Sequence, residues 1–141
     1  MTDQQLRIKM LREVALRADG FYDEAEKLGR KAAQALTDKK SSQIKGLEGI
    51  ANSALKTSDV FDFIKTRTAR QKEWQKGDWG PDLLTYLSRD LRTARRTICT
   101  QLEIDPEGID GLEVHLLLIR EFVRQLAAHY EYVCWENKEG D

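Results

Sequence analysis

Apolar residues recur at every third or fourth position over most of the chain. This spacing places them on one face of an α-helix, and no stretch shows the alternation that is typical of a half-buried strand. The spacing predicts helices at 4–18, 21–36, 42–55, 58–74, 81–102 and 109–136, and the last of them is the most apolar. We therefore expect an all-α fold, a compact bundle of about five to six helices in which the last helix is central.

Polar segments separate these helices at 37–42 (TDKKSS), 75–82 (QKGDWGPD) and 104–111 (IDPEGIDG). Ser41 or Ser42 can cap the helix that follows, and Pro81 suits a first helical turn because it lacks an N–H. Connections this short favour neighbouring helices that pack antiparallel. We expect one helical domain over residues 1–141, with 1–20 as a possible N-terminal extension helix.

The composition narrows the class of protein. A chain of 141 residues suits one domain, and two Pro and nine Gly argue against a β-sandwich or a disordered chain. No apolar run approaches the length of about 20 residues that spans a bilayer. The first 20 residues carry three acidic side chains and do not look like a secretory signal. Cys99 and Cys134 form no metal-ligand spacing and are interpreted as reduced thiols, which predicts a cytoplasmic protein with no membrane partner.

The formal charge of −1 conceals a segregation of charge. Residues 65–96 carry a net charge of +5, whereas residues 103–141 carry −7. A basic middle and an acidic tail suggest one face for a polyanion and another for a different contact. An ordinary helical surface with uneven charge is the alternative.

The helix predicted at 81–102 places its apolar and basic residues on opposite sides. Its apolar residues fall within an arc of about 80°, and they are Leu84, Leu87, Leu91, Ala94 and Ile98. Arg89, Arg92 and Arg96 fall within about 60° on the opposite side, and Arg95 flanks the apolar stripe. Because like charges at this spacing repel, a phosphate backbone would stabilise the three arginines. The alternatives are that the three arginines form a solvated face or that they pair with acidic residues of the last helix.

No catalytic or metal-binding motif is present. The chain contains no P-loop, GxSxG, HExxH or GxGxxG motif. His115 and His129 are fourteen residues apart on the last helix and cannot share a metal ion. We expect no catalytic residues, no metal and no cofactor, although an all-helical enzyme whose groups converge from distant positions stays an alternative.

Three segments resemble a known family. They are the helix start Ser42-Gln43-Ile44-Lys45, the basic stretch FIKTRTARQ at 63–71 and the last-helix stretch FVRQLAAHYEY at 122–132. In this order they resemble the small subunit of type III-A CRISPR–Cas effector complexes, or a close type III small-subunit relative, over about residues 23–135. Lys45 stands where that family often has arginine. The segment at 75–82 and the N-terminal helix match nothing in the family.

The resemblance implies a non-catalytic subunit of an antiviral ribonucleoprotein complex. Such subunits stack in several copies beside the backbone and large subunits, and they contact guide RNA and target RNA without sequence preference. A helical protein–protein adapter that binds no RNA is the main alternative, and a helix-turn-helix DNA binder ranks lower.

The candidate RNA contacts are all basic residues. Arg89, Arg92 and Arg96 rank first. They are followed by Lys65, Arg67, Arg70 and Lys72, then by Lys39, Lys40 and Lys45 near a helix start, and last by Arg120 and Arg124. Side chains of this kind hold a phosphate backbone without reading bases. Trp74 and Trp79 either stack a base or close the end of the core.

Overall fold

Six helices longer than one turn account for most of the residues that the structure describes. This computed structural model describes residues 2–36 and 41–139, and no strand occurs in these two ranges. The helices are α1 (Asp3–Gly20), α2 (Tyr22–Ala35), α3 (Ser41–Ser53), α4 (Thr57–Arg70), α5 (79–102) and α6 (Ile109–Glu139). The expected all-α bundle is confirmed.

The last helix, α6, lies at the centre of the bundle. Residues 114–119 are all buried, so the helix is covered on every side along this stretch. A helix that is apolar all round has to be surrounded by others to remove that surface from water. Accordingly α6 packs against α1, α2, α3, α4 and the second half of α5. The central position expected from its broad apolar face is confirmed.

The first two helices follow α6 in its own direction. Arg7 of α1 forms an ion pair with Glu113 at 2.8 Å, and Ala18 near the end of α1 accepts a hydrogen bond from Gln125 at 3.1 Å. Only Phe21 separates α1 from α2. The short connection therefore does not reverse the chain here, in contrast to the expectation for short connections. Instead α1 lies along the first half of α6 and α2 continues beside the second half.

The helix predicted at 58–74 ends early. Gln71 has the extended backbone angles φ −123° and ψ 122°, which stop α4 at Arg70. One further turn, Lys72–Gln75, follows, and Lys76–Asp78 connects it to α5, with Gly77 and Asp78 in the left-handed conformation at φ 58° and 59°. The new helix starts at Trp79, two residues before Pro81. The predicted polar break at 75–82 is thus confirmed at Gly77 and Asp78, whereas its last four residues are helical.

Two tryptophans explain why the chain turns inward at this point. Trp74 and Trp79 are both 0 % exposed, and their ring centroids lie 4.6 Å apart. The Trp74 Nε1–H donates a hydrogen bond to Gln43 of α3 at 3.1 Å. The break in α4 is what allows both large rings to enter the core. They close the end of the core, and neither is available to stack on a base.

The close approach of α2 to α6 depends on a glycine. A Cβ atom at Gly29 would lie 2.8 Å from the carbonyl oxygen of Leu126 and from the Cβ of His129. At Gly49 of α3, by contrast, a Cβ atom would meet nothing within 4 Å. We expect Gly29→Ala to lower the free energy of unfolding by about 1–3 kcal/mol, because two backbones have to separate. Gly49→Ala should raise it by up to about 1 kcal/mol, because alanine favours the helix.

Urea unfolding of the two variants beside the parent chain measures both changes. Equal stability of Gly29→Ala and Gly49→Ala would contradict the close α2–α6 contact.

Candidate nucleic-acid interface

The three first-ranked arginines lie on the outer side of α5. Arg89, Arg92 and Arg96, here called the arginine row, are all exposed. The residues predicted to face inward are half-buried or buried, with Leu87, Leu91 and Ile98 at 0–1 % exposure. The orientation expected from helical geometry is thus confirmed. The row extends about 10 Å along the helix axis.

The arginine row is only partly neutralised. Arg92 lies 3.5 Å from Glu107, which belongs to the connection between α5 and α6. Within residues 2–36 and 41–139, Arg89 and Arg96 form no ion pair. Pairing with acids of the last helix, the alternative considered above, does not occur in that part of the chain. Two of the three guanidinium groups therefore present their donors to solvent.

Arg95 is buried, which the sequence analysis did not anticipate. Its side chain is 4 % exposed, and Nη2 donates to Glu107 Oε1 at 3.0 Å. On the other side Nη1 lies 3.2 Å from Nδ1 of His115. A signal was present in the sequence, because Arg95 flanks the apolar stripe one turn after Leu91 and close to Ile98. The partners that make its burial possible come from outside α5.

His115 connects α6 to an irregular turn of α5. Its Nε2 lies 2.8 Å from the carbonyl oxygen of Leu87. In a regular helix the N–H of Leu91 would donate to that carbonyl, but here it donates to Tyr86 five residues back, within the π turn Tyr86–Asp90. The Leu87 carbonyl is thus free to accept from His115.

These contacts decide the tautomer of His115. A carbonyl oxygen only accepts, so Nε2 carries the proton, and Nδ1 accepts from the guanidinium of Arg95, which only donates. Burial lowers the pKa of His115, and the nearby charges of Arg95 and Arg92 lower it further. The imidazole is therefore neutral at pH 7.

The second set of candidates lies on α4 and the turn after it. Lys65, Arg70 and Lys72 are exposed. Arg67 is half-buried, because its Nη1 donates to Gln43 at 3.1 Å and its guanidinium lies 4.8 Å from the centre of the Phe63 ring. This contact ties α4 to α3. Arg67 is thus held within the fold, whereas the other three extend into solvent.

Helix α4 lies antiparallel to the first half of α5. The Phe61 ring faces that of His115 at 6.0 Å, and His115 in turn bonds to Leu87. Further along α4, Thr68 lies directly against Gly80 near the start of α5. Lys65 falls between these two contacts along α4, so the lysine and the arginine row belong to neighbouring helices.

The remaining candidates are scattered. Arg120 donates from Nε to the carbonyl of Ala51 at 2.9 Å and from Nη2 to that of Ala54 at 3.1 Å. It thus satisfies the C-terminal end of α3, where carbonyl groups lack partners within the helix. Arg124 pairs with Glu121 at 2.7 Å. Lys45 is exposed on α3, and Lys39 and Lys40 lie outside the described residues.

Other chemistry is sparse in the described part of the chain. No three His, Cys, Asp or Glu side chains of these residues lie close enough to hold a metal ion. Cys99 is buried, and burial raises the pKa of its thiol. None of the described helices combines the length and the apolar character that crossing a bilayer requires.

Comparison of the chain with protein-family models, with curated proteins and with solved structures finds no match. The interpretation of the surface therefore depends on its own geometry. That geometry offers exposed cationic donors on one side of α5, and among the described residues the Glu107 carboxylate lies between Arg92 and Arg95. An arrangement of this kind binds anions, because guanidinium groups donate to phosphate or carboxylate oxygens.

The neutral state of His115 predicts a pH dependence of stability. Its pKa in the folded protein is below the ordinary value of 6.5, so folding favours the neutral imidazole. This contribution is complete above about pH 6.5 and is lost as the pH falls below it, by at most about 1.4 kcal/mol per pH unit. We expect the parent chain to lose stability between pH 7.5 and 5.5, and His115→Gln to lose less, in urea unfolding followed by circular dichroism.

The matched control is His129→Gln, which makes the same substitution at the other imidazole, outside this cluster, and shows whether the effect is specific to His115. Glu48, whose pKa is raised chiefly by burial, is present in every chain compared and cancels. Parallel pH profiles for the parent and His115→Gln would show that the imidazole is not held neutral.

Proposed function

We propose that the protein is a non-catalytic small subunit of a type III CRISPR–Cas ribonucleoprotein complex that binds the guide RNA–target RNA backbone in antiviral defence. The observation that carries the proposal is the arginine row on α5, in which Arg89 and Arg96 have no ion-pair partner among the described residues. The all-α bundle agrees with the fold that the family resemblance implies.

A phosphate backbone suits this row better than a single small anion. The row is about 10 Å long, which is enough to meet more than one phosphate of a strand. Each guanidinium adds a charge-assisted hydrogen bond, and the mutual repulsion of the arginines is removed. Lys65 is a further exposed basic residue on the neighbouring helix. Contacts of this kind are independent of base sequence.

The assembly follows from the same proposal. Several copies stack in a cytoplasmic complex beside its backbone and large subunits. Cleavage and signalling belong to other subunits, because the chain is proposed to be non-catalytic.

A protein–protein adapter that binds no RNA is the second candidate. It is favoured by exposed apolar side chains, since surfaces of this kind are typical of docking sites. On α1 these are Ile8, Leu11 and Leu16, and near the end of α6 they are Tyr132 and Trp135.

Removal of the arginine row tests the first candidate. We expect the triple variant Arg89→Ala, Arg92→Ala, Arg96→Ala to keep its helical signal and to change stability by about 0.5 kcal/mol or less per site, because the side chains are exposed. In the assembled complex it should weaken retention of target RNA and reduce the salt dependence of binding by about 0.7–0.9 per lost phosphate contact. Salt titration of binding to a guide–target duplex measures both.

The matched control removes three exposed basic residues elsewhere, Lys9, Arg12 and Arg30, and changes the net charge equally. Equal weakening by both triple variants would show that only overall charge matters. Absence of any RNA contact in the assembled complex would favour the adapter.

A further inference from the structure

One carboxylate lies between two arginines, beside the middle member of the arginine row. The same oxygen, Glu107 Oε1, is 3.0 Å from Arg95 Nη2 and 3.5 Å from Arg92 Nη2. A single negative charge thus faces two positive ones. The Asp105 side chain lies beside this carboxylate, on the Glu107 N–H, so a second anion can bind to the two arginines only by replacing Glu107.

The two arginines differ in how firmly they are held. Arg95 is 4 % exposed and bound from behind by His115, whereas Arg92 is 49 % exposed. The Nε of Arg95 is buried and has no hydrogen-bond partner among the described residues. A buried donor without an acceptor is unfavourable, so Glu107 satisfies this guanidinium only in part.

The position of Glu107 allows its carboxylate to move away from the two arginines. It lies in the connection between α5 and α6, its carboxylate is 54 % exposed, and its backbone N–H is held by the Asp105 side chain at 2.9 Å. Rotation about its side-chain bonds takes the carboxylate into water without a change in the backbone. Because the pair with Arg92 is solvent-exposed, it contributes little to stability and is readily exchanged.

The position matters because Arg92 is the middle member of the arginine row. Arg89 precedes it by three residues and Arg96 follows it by four, so all three lie on one side of α5. A strand that follows the row from Arg89 to Arg96 therefore reaches the Glu107 carboxylate at its midpoint. A phosphodiester there carries one negative charge and can accept hydrogen bonds from both guanidinium groups, whereas the carboxylate accepts one from Arg95 and lies 3.5 Å from Arg92.

We propose that Arg92 and Arg95 form a phosphodiester-binding site in the middle of the arginine row, and that Glu107 occupies this site in the free protein as an internal substitute for the phosphate. This inference depends on the proposed RNA-binding function and adds to it a second arginine and a regulating carboxylate. Binding of the RNA backbone exchanges one anion for another at Arg95, so the buried guanidinium keeps an acceptor throughout.

Glu107→Gln tests the exchange. Glutamine keeps the shape and an oxygen acceptor for Arg95 but lacks the charge that competes with phosphate. In the assembled complex we expect about tenfold tighter binding of the guide–target duplex, the gain expected when one charge-assisted contact no longer has to displace a carboxylate. The salt dependence should become steeper by about 0.7–0.9.

The matched control is Glu103→Gln. It makes the same charge change in the same connection, at an exposed residue that has no ion pair in the described part of the chain. Its effect should be about twofold or less, because exposed charges are screened by salt. If both variants gained the same affinity for RNA, the gain of Glu107→Gln would come only from the change in net charge. That result would overturn the inference. Addition of Arg92→Gln to Glu107→Gln should remove the gain.

A measurement on the unmodified chain completes the test. In arginine side-chain NMR, addition of a short RNA duplex should shift the Nε–H signal of the buried Arg95. An unchanged Arg95 signal while the duplex binds would overturn the exchange but not the RNA-binding function. If neither the parent complex nor the Glu107→Gln complex retains RNA through this subunit, the proposed function itself fails.

Discussion

The structure depends on covering α6 from every side. Residues 114–119 of this helix are all buried, so no orientation leaves the apolar stretch half in water. The other helices pack around it, and α1 and α2 together follow its length in a parallel direction. The same constraint buries His115 in the middle of the stretch. A buried imidazole needs partners for both nitrogens, and the surrounding helices have to supply them.

The hydrogen-bond partners of His115 connect the core to the surface of α5. The Leu87 carbonyl is free because α5 contains a π turn, and Arg95 donates to the other nitrogen. Arg95 then binds Glu107, which also reaches Arg92. The chain of contacts therefore determines which arginines of α5 are paired. Arg89 and Arg96, which lie outside this chain of contacts, have no ion pair in the described residues. The ion pairing on the outer side of α5 thus depends on how the core satisfies one histidine.

Residue spacing predicts the helices well and the polar contacts poorly. The six helices and the outward side of Arg89, Arg92 and Arg96 follow from helical geometry, which is a local property. The end of α4 at Arg70 does not follow from helical geometry, because it depends on the burial of Trp74 against Trp79. Arg120 was interpreted as a surface contact, yet it binds the last carbonyls of α3, about seventy residues earlier in the chain. Long-range partners of this kind leave no periodic signal in a sequence.

The two candidate functions use different surfaces and do not exclude each other. The arginine row lies on α5, whereas exposed apolar side chains such as Ile8 and Leu11 lie on α1, which packs on both α6 and the second half of α5. An apolar face supplies affinity for a neighbouring subunit, because its burial removes it from water. That contact does not relieve the repulsion among Arg89, Arg92 and Arg96, of which only Arg92 forms an ion pair with a carboxylate in the described chain. In an adapter that binds no RNA, no bound anion would offset this repulsion. A subunit that docks through α1 and holds a phosphate backbone on α5 accounts for both surfaces.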